Sequence, residues 1–334
     1  MSGNKKNNNK MIGYIGLTVA CLAVLTLILF GVIHLVRNHQ HEDELRKIRE
    51  AREQQTEIGP LANVTKGPQT TPTPVSDPNE KKDPATPTLT PTPTVTPTPR
   101  PIAIQSGFMM DLYEYNSDVV GYLFMRNTYG VEIDYPVMQT FDDPNTPENE
   151  MEYYINRGVD KAPLKRGSLF MDQNSISGVG YKEDNYVGGE EPSDILLIYG
   201  HNMADGTMFG YLYKFLETEY AKEHLYIDYD TLFEHRVYKV ISCFRSHVFT
   251  SADHMDYSNY DDPKFKYYAF KGNMTEEEFV YWYANVMSHN ENGLPEFNAS
   301  YGDEFMVLST CSPTDETGRK NENGRVCLVA VRVE

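Results

Sequence analysis

Residues 304–311 read Glu-Phe-Met-Val-Leu-Ser-Thr-Cys, and residues 325–333 read Arg-Val-Cys-Leu-Val-Ala-Val-Arg-Val. Both are short apolar runs rich in β-branched side chains, the pattern of strands buried in a sheet. The first stops at Cys311 and is followed by Ser312-Pro313-Thr314-Asp315, a loop composition. Cys311 therefore stands where a rigid strand ends, a place suited to presenting a nucleophile. Two strands joined by a 314–324 loop can be neighbours, which would put Arg325 beside the thiol. A guanidinium there lowers the cost of a thiolate and can hold an oxygen as negative charge develops on it. Taken singly, Cys311 is as readily core filler, and Arg325 is a solvated residue at a strand edge.

Six more β-rich segments precede these two, at Val119–Met125, Val131–Met138, Ser168–Asp172, Ile195–Tyr199, Leu225–Tyr229 and Val237–Arg245. Gly, Asn, Asp and Pro turns separate them without regular strand–helix alternation. That predicts a mostly antiparallel barrel or sandwich, not a doubly wound sheet. Two helices interrupt the pattern. Residues 106–116 place Phe108, Leu112 and Tyr115 on one face. Thr275 followed by Glu278 is a capping box opening a helix with Phe279, Trp282, Tyr283 and Val286 on its apolar side. The Ile195–Tyr199 strand ends in Gly200-His201-Asn202, so His201 can reach across a cleft, as could His247 and His254 from a later loop. His224, His235 and His289 are flanked by charge and read as solvated surface.

The first 100 residues have a different organisation. Residues 1–10 are short and basic, with Lys5, Lys6 and Lys10. Residues 11–36 carry no charged side chain and as a helix would reach about 39 Å, enough to span a hydrocarbon core of about 30 Å. We read this run as an uncleaved transmembrane signal anchor. The basic flank favours a type II placement in the cell membrane, with everything after residue 37 outside. Residues 37–57 suit a short solvated juxtamembrane helix, with Glu42/Arg46 and Asp43/Lys47 at i,i+4. Residues 58–101 hold 12 of the 20 prolines and read as an extended Pro/Thr linker, leaving 102–334 as the folded domain.

Residues 101–334 carry 18 basic and 39 acidic side chains, a net −21 that argues against nucleic acid as a partner. Of the four cysteines, Cys243 and Cys327 fall inside strands and read as small core residues; three cysteines in this domain do not make a disulfide framework. The acidic groups Asp253/Asp256/Asp261/Asp262 and Asp142/Asp143/Glu148/Glu150 lack the spacing of a calcium loop. Neither a metal nor another cofactor is required.

Tyr199-Gly200-His201-Asn202-Met203, then Leu308-Ser309-Thr310-Cys311, then Arg325 before an apolar strand resemble the sortases. The order His, Cys, Arg and the Leu-Ser-Thr-Cys strand end carry the resemblance over about 105–334. The N-terminal helix and the helical insertion before the cysteine strand look most like class B. The resemblance implies a closed eight-stranded β-barrel and a membrane-anchored transpeptidase. Cys311 would be the nucleophile, His201 the general acid/base and Arg325 the oxyanion and substrate ligand, with Ser309, Thr310 and Asn202 in support. The partners it implies are secreted proteins bearing a C-terminal sorting signal, cleaved at a threonine carbonyl, and an amine of a peptidoglycan precursor or cross-bridge. A cell-wall cysteine peptidase or amidase, or a non-catalytic wall-binding module, are the alternatives. Papain-like families, however, place Cys before His.

Overall fold

In the computed structural model, the described residues are 107–334 apart from 128–129, 143–149, 183–184, 189–191, 271 and 315–316, together with parts of 23–53. The strands are β1 (Val119–Asn127), β2 (Gly130–Met138), β3 (Leu169–Met171), β4 (Val179–Lys182), β5 (Asn185–Gly188), β6 (Ile195–Tyr199), β7 (Tyr226–Asp230), β8 (His235–His247), β9 (Phe305–Cys311) and β10 (Gly324–Arg332). Eight of them close a barrel in the order β1-β2-β3-β6-β9-β10-β8-β7, while β4 and β5 form a separate hairpin that the sequence reading did not separate out. All eight strand expectations fall on barrel strands. The pairing is less uniform than expected, because β2–β3 and β6–β9 run parallel. Each parallel pair needs a long crossover. Residues 139–168 supply the first and 200–304 the second, so the barrel's two most irregular excursions are consequences of its topology.

Along the β6–β9–β10 wall, strand alternation sorts side chains into two cores. Leu196, Ile198, Met306, Leu308, Val326, Leu328 and Ala330 point into the barrel. Ile195, Leu197, Phe305, Val307, Cys327, Val329 and Val331 point outward from the β6–β9–β10 wall into a second core. The helical insertion between β8 and β9 covers that outer face, with Phe265, Tyr267, Phe270, Trp282 and Val286 buried against it. Its helix, Glu276–Ser288, opens on the anticipated capping box: Thr275 Oγ1 accepts from the Glu278 amide at 3.2 Å, and Glu278 Oε2 accepts from the Thr275 amide at 2.8 Å. Its buried face is wider than expected. Tyr281 is fully buried because its hydroxyl donates to Asp262 at 2.7 Å.

The helix Phe108–Tyr115 packs Phe108, Met109 and Leu112 against β1 and β2, whereas Tyr115 stays exposed. His224 departs from expectation. It is buried at the end of the short helix Thr218–Glu223, stacked on Tyr220 at 3.8 Å, with Nδ1 2.7 Å from the Tyr220 carbonyl. His235 is on the surface as expected and pairs with Asp230 at 2.7 Å. Its imidazole is raised above 6.5, first by the Asp230 hydrogen bond and against partial desolvation. A raised histidine stabilises the fold fully below its unfolded value and loses that contribution as pH rises through the folded value. The stability difference between wild type and His235→Gln is therefore expected to shrink as pH rises past about 6.5. For so exposed a pair it stays below about 1 kcal/mol. Denaturant melts at several pH values measure it.

Ahead of the barrel, the expected anchor 11–36 lies largely outside the described residues. Of it, 23–26, 28–29, 31–33 and 36 are helical, and no helix among the described residues is long and apolar enough to cross a membrane. The Pro/Thr linker 58–101 also lies outside them. Residues 42–53 are helical, but the solvated helix expected there needs correction. Leu45 is only 2% exposed and joins the barrel core, and Glu42 pairs with Arg166 rather than Arg46. The misreading has a simple cause: charge pairs at i,i+4 fit a solvated helix and a half-buried one equally well.

Candidate active site

Three strands end at one edge of the barrel wall. β6 and β9 run parallel, so both of their C-terminal ends lie there, and antiparallel β10 begins there. On the outward face of these strands the odd-numbered residues continue past the core, from 195, 197 and 199 to His201, from 305, 307 and 309 to Cys311, and from 327 back to Arg325. Cys311 and Arg325 are direct cross-strand partners in the β9–β10 register. Opposed side chains on one face of an antiparallel pair lie about 5 Å apart at Cβ. His201, Cys311 and Arg325 together line a cleft of about 330 Å³, whose lining also includes Met151, Glu152 and Ile155 from the 139–168 crossover and Val248, Tyr267 and Tyr268 from the insertion after β8.

The edge is held rigid by hydrogen bonds between strand ends. The Gly200 amide donates to the Ser309 carbonyl at 3.2 Å, Thr310 Oγ1 donates to the Gly200 carbonyl at 2.7 Å, and Asn202 Nδ2 donates to the Cys311 carbonyl at 2.8 Å. The supporting trio of the sequence reading is therefore brought to the site. Thr310 and Asn202 fix the His201 segment to the Cys311 strand through backbone groups. Ser309 is buried behind the thiol, its hydroxyl 2.8 Å from that of Tyr267. Arg325 Nη1 donates to the Gly324 carbonyl at 2.9 Å, which restrains the guanidinium at the cleft.

The three described thiols differ sharply. Cys311 is exposed and free, while Cys243 and Cys327 are buried and free. Burial pushes Cys327 up to about 12, in spite of hydrogen bonding from Tyr267, the Arg325 charge and Ser309, and burial likewise pushes Cys243 well above the usual thiol range. Both interior thiols are thus held protonated at neutral pH, in agreement with the core role expected of them.

His201 has a partner that no side-chain reading could find. Its Nε2 lies 2.8 Å from the Ile155 carbonyl. A carbonyl can only accept, so Nε2 carries a proton and Nδ1 is the nitrogen left to exchange one. The Ile155 carbonyl is itself pressed in place by Gly167, at φ +60°, where an added Cβ would come within 2.2 Å of it. Alanine at 167 must move that oxygen or leave the left-handed region. Gly167→Ala is expected to lower turnover by about a hundredfold through a misplaced imidazole, with the Cys311 thiol still alkylated by iodoacetamide. Peptide turnover and thiol labelling of the same preparation separate this from general unfolding. Tyr267 and Tyr268 were likewise missed; their only signal was an aromatic pair within the insertion.

No protein-family model matches the chain. A sortase B of Listeria monocytogenes is 26% identical over 223 residues, covering 66% of this chain and 72% of that protein. One from Staphylococcus aureus is 22% identical over 220 residues, with the same two coverages. Among solved structures, a sortase B complexed with Gly3 has a TM-score of 0.50 at 20% identity, covering 68% of this chain and 86% of that one, and shares the barrel fold. In sequence over about two thirds of its length, and in its eight-stranded barrel, the chain is similar to the class B sortases.

Proposed function

We propose that the Cys311 thiolate attacks the carbonyl of a threonine in a C-terminal sorting signal of a secreted protein. The observation that carries this reading is the Cys311–Arg325 pairing, with His201 lining the same cleft. In the addition step the carbonyl oxygen gains the electron pair and Arg325 offers it N–H donors. Collapse re-forms the C=O and breaks the C–N bond. The departing nitrogen takes its proton from protonated His201 through Nδ1, leaving a thioester on Cys311 and a neutral imidazole. An amine of a peptidoglycan precursor or cross-bridge then attacks the thioester and returns a proton to His201, and the thiolate leaves.

Residues 11–36 serve as a single-pass anchor in this proposal and hold the domain outside the cell membrane, facing the wall. The Gly3 bound by the similar structure makes a short glycine peptide the first acceptor to try. The test mixes the full chain, in detergent, with sorting-signal peptides and triglycine and follows products by mass spectrometry. Peptide joined to triglycine supports the proposal. Hydrolysis alone points to a wall peptidase or amidase, and the absence of both products points to a wall-binding module.

A further inference from the structure

The helix at 42–53 presents Leu45, Ile48, Arg49 and Arg52 at i, i+3, i+4 and i+7, one continuous face. That face lies on the barrel wall. Leu45 is buried in the barrel core cluster, and Ile48 packs against it. The Arg49 guanidinium is 3.4 Å from Asp134 and 5.2 Å from the Tyr135 ring. Arg52, almost fully buried, lies 3.6 Å over the Phe124 ring and 4.0 Å from Asp230. Tyr115 of the next helix donates to Glu44 at 3.2 Å, and Glu42 pairs with Arg166. Asp134 is 8% exposed, and the cations facing it, Arg49 and Arg52, come from this helix, alongside Glu53 of like charge; the wall itself supplies the Tyr122 hydroxyl at 2.7 Å. A carboxylate buried in this way needs such partners, so the wall is complementary to the helix in charge as well as in shape.

We propose that residues 42–53 are an integral clasp of the catalytic domain, so that the chain is fixed to the barrel both before and after 54–106 and that segment does not act as a spacer. Both neighbours of that segment, the 42–53 helix and the helix starting at Phe108, sit on the barrel. The 54–106 segment, whatever its length, then has no control over the height of the site. The height is set by the few residues between the anchor and the clasp, 37–41, which span at most about 18 Å when extended. The enzyme works close to the bilayer rather than out in the wall. This consequence rests on the reading of 11–36 as a membrane anchor.

The test uses the full chain in phosphatidylglycerol/phosphatidylcholine vesicles, with a specific protease site inserted between Gln69 and Thr70. Flotation of the uncut chain checks the anchor. If it does not float, the anchor reading fails, and co-elution of the cut halves on gel filtration then tests the clasp directly. After cutting, the catalytic fragment is expected to stay on the vesicles, whereas a spacer would release it. The cut Leu45→Asp/Arg52→Ala variant should show a roughly tenfold lower retained fraction, because no second attachment remains. Arg49→Glu, at a half-exposed position where the core is not disturbed, should also lower it by setting like charge against Asp134. Release of the cut wild-type fragment overturns the proposal. So does retention of every variant, which would mean that the domain adheres to lipid by itself.

Discussion

Cys311→Ala is expected to form no acyl-enzyme, with a loss of turnover on the order of a millionfold where chemistry limits the rate. The reason is the absence of a substitute. Cys327 is two residues from Arg325 and pairs in register with Ser309, so it is near the site, but it faces the outer core and is fully buried. Its thiol is pushed up to about 12 and is hydrogen-bonded to Tyr267, so it offers neither thiolate nor access. Cys243 faces the opposite core, inside the barrel. Cys327→Ala is thus expected to retain acylation while losing about 1–2 kcal/mol of stability from the packing vacated. Intact-mass spectra of enzyme mixed with sorting-signal peptide make the comparison. An acyl adduct on Cys311→Ala would move the nucleophile elsewhere, and loss of the adduct in Cys327→Ala with the fold intact would give the buried thiol a chemical role.

The wall that carries the site was readable because its strands are apolar on both faces, and such runs stand out in a sequence. The order of its neighbours was less readable. Nothing local in residues 195–199 says that they lie parallel to 305–311, because that pairing closes over a 105-residue excursion and is fixed by the barrel as a whole. Once it is known, the convergence of His201, Cys311 and Arg325 follows from period-two alternation. All three sit at odd positions in register with Ile195, Phe305 and Cys327, hence on one face. Ile155 was beyond reach for a different reason. It acts through a backbone carbonyl, a group every residue has, and only Gly167 on the far side hints that this oxygen is tightly placed. The 42–53 helix was misjudged because its buried face is half arginine. Hydropathy counts Arg49 and Arg52 as solvated, whereas each lays its guanidinium over an aromatic ring of the barrel.

Arg325→Ala is expected to lower kcat/KM by about 10²–10³, the effect of removing one oxyanion donor. Three features concentrate this effect on one guanidinium. Its strand pairing puts it opposite Cys311, its bond to the Gly324 carbonyl fixes its direction, and it is part-buried, so water screens it less than it would a surface charge. Arg325→Lys keeps the charge but loses the planar fork, and should recover only part of the rate. Arg319 is exposed, lies outside the cleft lining and serves as the internal control, with Arg319→Ala expected within about twofold of wild type. The alkylation rate of Cys311 across pH 5–9 separates two ways in which Arg325 could act. A rate profile displaced to higher pH in Arg325→Ala assigns the arginine to thiolate stabilisation. An unchanged profile with the full loss of turnover assigns it to the oxyanion. Equal losses for Arg325→Ala and Arg319→Ala would remove Arg325 from the mechanism.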